Sequence, residues 1–223
     1  MTTALLLLSA IMAIVVGWLV RKTINTTPWV EQRSTEVVSS GGSFSLLPVQ
    51  VGLGVFLAVA TSLFALLVSA YHMRMAEADW TTLSLPSVLW LNTAILVLAS
   101  IAMQWTLAVA RQGRMEAVRT GLMAGGVFSF AFLAGQVWAW QQLSASGHFT
   151  AANPAYAFFL LLTTIHGMHV LGGLWVWART TVRARRGAEI GKVLLSVELC
   201  TLYWHYLLLV WAVLFAVLLQ TQR

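Results

Sequence analysis

Residues 193–219 read VLLSVELCTLYWHYLLLVWAVLFAVLL, an apolar run interrupted by one carboxylate, Glu198, and one imidazole, His205. A helix needs about 20 apolar residues to cross the hydrocarbon of a bilayer, and this run exceeds that. Glu198 and His205 are seven residues apart, close to two helical turns, so they share one face. Ionisable groups within a span are costly and usually face a protein interior. Working outward, a second polar pair precedes them: His166 and His169, three residues apart, again on one helical face.

The rest of the composition agrees with a membrane protein. Of 223 residues, 59% are hydrophobic and 9% charged, against about 25% charged in a soluble domain. Apolar runs of this length satisfy their backbone hydrogen bonds as helices, and the alternation of a membrane barrel is absent. The fold class is therefore all-α, a polytopic membrane helical bundle. The single Cys200 lies mid-span and offers no disulfide partner. The net charge of +6 is not a nucleic-acid footprint, because the basic residues cluster at the ends of the apolar runs.

Six spans are expected. Ala4–Val20 reads as a retained helix rather than a signal peptide, since no Lys or Arg precedes it and no small-residue cleavage motif closes it. A polar connector, Thr23–Leu47, contains Pro28, Gly41 and Gly42. Val49–Tyr71, Ser87–Ala110, Gly121–Gln141, Pro154–Ala178 and Val193–Leu219 follow. The connectors after spans one, three and five hold Arg21, Lys22 and Arg33, then Arg111, Arg114 and Arg119, then Arg179, Arg183, Arg185, Arg186 and Lys192. Of the 13 basic residues only Arg74 and Arg223 remain for the other side. Positive loops face the cytoplasm, so both termini are expected outside.

Small residues at Gly121, Gly125 and Ser129, and at Gly167, Gly172 and Gly173, suit close helix approach. Trp175, Trp177, Trp138 and Trp140 suit interfacial anchoring, and the Arg179–Arg186 loop suits solvent or anionic head groups. Five histidines are present, His72, His148, His166, His169 and His205. On spacing alone two readings stay open: ligation of a haem or metal by imidazoles on facing helices, or hydrogen bonding of each imidazole to a neighbour.

Further motifs carry a resemblance. His166-Gly167-Met168-His169-Val170 resembles the His-Gly-Leu-His-Val motif of subunit III of haem–copper terminal oxidases, the cytochrome c oxidase subunit 3 family. Tyr203-Trp204-His205-Tyr206, with Glu198 before it, resembles that family's Tyr-Trp-His-Phe segment. Gly52 to Phe64, Ala70-Tyr71-His72, Leu91-Asn92-Thr93 and Gln136 also resemble the family pattern, which extends over roughly Pro48 to Leu219. The resemblance implies a division into an extra N-terminal helix (1–22), a connector (23–48) and a five-helix core (49–223).

It further implies an accessory, non-redox subunit of a proton-translocating oxidase that reduces oxygen to water, in the bacterial cytoplasmic membrane. No catalytic residue and no metal are then expected in this chain. Haem and copper belong to partner subunits I and II, and phospholipid binds in a cleft between helices. His166, His169, Glu198 and His205 are expected to meet in one structural polar cluster. Arg179, Arg183, Arg185, Arg186 and Trp204 are the candidate lipid contacts. Two departures stand out: Ala60 and Leu208 replace carboxylates that many family members carry.

Alternatives within the family are a quinol oxidase subunit III or a homologue accompanying nitric oxide reductase; outside it, a bis-histidine haem-binding membrane cytochrome. A secondary transporter would need broken helices or an inverted repeat, and neither is seen. The charge pattern makes one expectation testable at once. Reporter fusions after Arg186 and after Arg223 are expected to report opposite sides of the membrane, and the same side for both would remove the six-span reading.

Overall fold

In the turn between residues 111 and 115 the chain reverses on Gly113, whose φ of 76° is open to glycine at little cost. The amide of Gly113 donates to the Ala110 carbonyl and that of Arg114 to the Val109 carbonyl, closing the end of one helix in the left-handed manner usual at such ends. This reversal joins two of five helices. The computed structural model describes residues 48–81, 83–145, 153–187 and 190–220. The helices are α1 (Pro48–Arg74), α2 (Val88–Arg111), α3 (Met115–Ala145), α4 (Pro154–Arg185) and α5 (Ile190–Gln220). All five are long and apolar enough to cross a membrane. The expected span Ala4–Val20, the connector after it, His148 and Arg223 lie outside the described residues.

The helices outrun the apolar stretches that announce them. α3 and α4 have 31 and 32 residues, about 46–48 Å at 1.5 Å per residue, whereas the hydrocarbon core is about 30 Å. The surplus turns carry arginines. The Arg119 guanidinium bonds Glu116 at 2.8 Å and donates to the Ala184 carbonyl at 3.1 Å, tying the start of α3 to the end of α4. α4 itself starts on a side-chain cap, with the Asn153 carbonyl oxygen accepting from the Ala155 amide and Pro154 in the first turn.

The chain divides into two compact units, residues 1–65 and 66–223, with α1 passing from the first into the second. Described residues of the first unit are the opening turns of α1, where Thr61 and Ser62 return their hydroxyl protons to the Leu57 and Ala58 carbonyls. In the second unit Tyr71, at the end of α1, lies edge-on to Trp80 and Phe158. Arg74 makes a two-pronged bond with Asp79 at 2.6 and 2.5 Å, and this hydrogen bond holds the Asp79 carboxyl below its ordinary range.

Helices α2 to α5 form a closed ring: α2 packs on α3 and α5, and α4 completes the circle against α3 and α5. Glycines set the closest approaches. A side chain at Gly121 or Gly125 would run into Thr106 or Met103 of α2, one at Gly126 into Trp177, and one at Gly173 into Tyr203. Gly172 differs from expectation: a side chain there would meet nothing within 4 Å, because the position is exposed.

Indole N–H groups lock the ring. Trp204 of α5 donates to Ser129 of α3 at 2.8 Å, Trp211 of α5 to Thr93 of α2 at 2.9 Å, and Trp140 of α3 to Thr163 of α4 at 3.0 Å. Each accepting hydroxyl spends its own proton on a carbonyl one turn back, Gly125, Leu89 and Phe159 respectively. An indole only donates, while a hydroxyl both donates and accepts, so both groups are satisfied without water. Trp177 donates directly to the Leu122 carbonyl at 2.8 Å.

Two of the four tryptophans expected at the interface are thus cross-helix donors, while Trp138 and Trp175 are exposed. Two residues' separation turns a helix by about 200°, so one member of each pair faces in and the other out. Replacing Ser129 by Ala would leave the buried Trp204 indole without its acceptor, a loss of about 1–3 kcal/mol. Reversible unfolding in mixed detergent micelles is expected to show that loss for Ser129→Ala. No change would mean that the Ser129–Trp204 bond adds nothing to bundle stability.

Candidate functional site

The histidine motif of α4 places its two imidazoles in different surroundings. His166 is fully buried, with ring centroids 5.7 Å from Phe132 of α3 and 5.3 Å from Trp211 of α5. Phe132 and Trp211 meet edge to face at 5.1 Å, so the imidazole lies in a tight aromatic cluster. His169, a turn later, is half-buried, and its Nδ1–H donates to the Ile165 carbonyl at 2.8 Å. The His169 carbonyl in turn accepts the Tyr203 hydroxyl of α5 at 2.9 Å. The two motifs named in the sequence therefore do touch, through Tyr203 and Trp211 on α5.

Glu198 and His205 have partners on α2. Ser100 of α2 bonds His205 Nδ1, and His205 Nε2 lies 3.0 Å from Gln104 Oε1 of α2. A carboxamide oxygen only accepts, so Nε2 carries the proton and the Ser100 hydroxyl donates to Nδ1. Glu198 pairs with Arg111, the last residue of α2, at 3.7 Å, the two side chains being 48% and 61% exposed. The reason is geometric. α5 starts at Ile190, so Glu198 lies only about 12 Å along it and reaches the basic end of the bundle rather than its centre.

These contacts belong to one antiparallel seam. Along α5 the residue numbers rise through Glu198, Thr201, His205 and Trp211, while those of their partners on α2 fall from Arg111, through the Met103 carbonyl and Gln104 with Ser100, to Thr93. The face shared by Glu198 and His205 is real, but it is turned to α2. Val97, Ser100, Ile101, Gln104, Trp105 and Ala108 of α2, together with His205 and Leu208, line an open groove of about 470 Å³ on this seam. Leu208, one of the two departures noted in the sequence, forms part of its wall. The other, Ala60, is buried.

The candidate lipid contacts divide. Arg179, Arg183, Arg185 and Arg186 are exposed, with the Arg179 guanidinium 6.0 Å from the centre of the Trp175 ring. Trp204, expected to meet lipid, is 1% exposed, because its indole is turned inward onto Ser129. Among the described residues, no three His, Cys, Asp or Glu side chains form a group able to hold a metal ion.

Reading the sequence missed Ser100, Gln104 and Phe132. Ser100 carried a usable signal: with Thr93 it repeats the seven-residue spacing of Glu198 and His205, marking a polar stripe on α2. Asn92 and Gln136, noted only separately, meet across α2 and α3 at 3.2 Å.

Comparison with known proteins bears on this arrangement. The family model described as cytochrome c oxidase subunit III matches residues 1–221. A probable cytochrome c oxidase subunit 3 of Nocardia farcinica is 27% identical over 173 residues, covering 75% of this chain and 85% of the relative. A cytochrome c oxidase subunit 3 of a Synechocystis species is 28% identical, covering 74% and 72%. A cytochrome bo(3) ubiquinol oxidase subunit 3 of Buchnera aphidicola is 22% identical, covering 74% and 82%. With a family match over nearly its whole length and its two histidine motifs packed into one bundle, the chain belongs to the cytochrome c oxidase subunit III family.

Proposed function

We propose that this chain is the accessory, non-redox subunit of a proton-translocating haem–copper oxidase that passes electrons from cytochrome c to oxygen. The observation that carries the reading is the family match over residues 1–221. In this reading haem and copper reside in subunits I and II, and this chain stabilises subunit I and holds phospholipid. The exposed arginines of the α4 end, Arg179, Arg183, Arg185 and Arg186, would meet anionic head groups. The protein would lie in a bacterial cytoplasmic membrane with the basic end inside, residues 1–22 adding a further helix to the core.

His166, His169, Glu198 and His205 are assigned structural roles. The imidazoles spend their polarity within the bundle: His169 on a carbonyl one turn back and His205 on Ser100 and Gln104. The Buchnera relative favours a second reading, a quinol oxidase subunit III. Donor chemistry would reside in other chains, so the composition of the complex decides between them.

The test is purification of the complex from its native membrane. The chain is expected to come with a haem- and copper-bearing subunit and with a second subunit carrying a cytochrome c site. A complex lacking that site and oxidising quinol would select the second reading, and absence of any haem-bearing chain would remove both. In the same complex, His166→Leu and His205→Leu are expected to leave the reduced-minus-oxidised haem bands unchanged while loosening the subunit in detergent. Loss of a band from a complex that still retains the variant chain would make the histidine a ligand.

A further inference from the structure

α1 has 27 residues, which puts His72 about 36 Å along the axis from its first residue. The hydrocarbon core is about 30 Å thick, so the last turn of α1 reaches the polar edge of the bilayer. The sequence there reads His72-Met73-Arg74-Met75-Ala76-Glu77. The Met75 amide donates to the Tyr71 carbonyl at 3.0 Å, which carries the helical path on through Met75. His72 and Met75 are then three apart on one helical face, their Cβ atoms about 5–6 Å from each other. Met75 is exposed and His72 half-buried. Between His72 and Ser87 the charged residues are Arg74, Glu77 and Asp79. Two carboxylates against one guanidinium leave a net negative charge that favours a cation, and Arg74 is already taken up by Asp79.

The His72 ring is oriented for a ligand. Its Nδ1 lies 2.8 Å from the Val68 carbonyl oxygen. A carbonyl oxygen only accepts, so Nδ1 carries the proton and Nε2 keeps its lone pair. Donation of one ring N–H to a backbone carbonyl is the arrangement that fixes the tautomer of metal-ligating histidines. Tyr71, edge-on with ring centroids 5.9 Å apart, steadies the imidazole. His169 makes the same carbonyl bond, but three residues on it has Gly172. Among the described histidines only His72 has a methionine at that spacing. A thioether selects Cu(I), and imidazole suits copper. We infer that His72 Nε2 and Met75 Sδ form a site for Cu(I) at the end of α1. A closed-shell Cu(I) accepts two-coordinate binding, so the pair suffices. The site adds to this chain a metal that the family resemblance does not imply. It goes beyond the proposed function and does not depend on it, since both ligands belong to this chain.

The experiment titrates the purified full-length chain in detergent, free of haem- and copper-bearing chains, with Cu(I) kept reduced by ascorbate and competed by coloured chelators of graded strength. One Cu(I) per chain is expected, with x-ray absorption showing both nitrogen and sulfur neighbours. Met75→Leu conserves volume while removing the sulfur, and is expected to weaken binding at least tenfold with unchanged helical circular dichroism. His72→Gln is expected to do the same. Met168→Leu removes a thioether that is 65% exposed on α4, and is expected to bind Cu(I) as the unaltered chain does. A chain that takes no Cu(I) from the chelators would overturn the assignment, as would a copper shell without sulfur or full affinity in Met75→Leu. An equal loss in Met168→Leu would also overturn it, leaving adventitious binding by exposed thioethers only.

Discussion

Hydrocarbon offers no hydrogen bonds, so every polar side chain inside this bundle has to find its partner in protein. The structure meets that constraint with a repeated device. A hydroxyl on one helix sends its proton to a carbonyl one turn back and accepts an indole N–H from the next helix. Ser129, Thr93 and Thr163 do this for Trp204, Trp211 and Trp140. Each such bond contributes only about 1 kcal/mol in a membrane. Their joint effect is on register: a one-turn slip of α5 would part Trp204 from Ser129 and Trp211 from Thr93 together.

Close approach makes those bonds reachable. Gly121 and Gly125 bring α3 onto α2, and Gly173 brings α4 onto Tyr203 of α5. The aromatic cluster around His166 follows from the same geometry, since Phe132 and Trp211 come from the two helices that flank α4. The two imidazoles of the histidine motif sit in different surroundings. One imidazole fills an aromatic cluster and the other is anchored to its own backbone.

The seam between α2 and α5 departs from this economy. It carries charge at the basic end and a serine–histidine–glutamine chain further in, yet part of it is open to the outside. His205 and Gln104 are among its exposed residues where α2 and α5 meet.

Composition and periodicity were enough to establish the membrane class, the five described spans and the facing of Glu198 with His205, because hydrophobicity and helical pitch are local properties of the chain. The two histidine motifs were enough for the family. Which helix each polar face meets was not legible. Glu198 and His205 turn to Arg111, Gln104 and Ser100, Trp204 turns inward, and Gly172 faces outward. None of these follows from spacing, because a helix presents the same pattern to whichever neighbour the packing of glycines and indoles brings beside it. Helix ends were misjudged for a related reason. α3 and α4 continue past their apolar stretches, where Arg119 of α3 bonds the Ala184 carbonyl on the adjoining end of α4. That contact exists only once the bundle has closed.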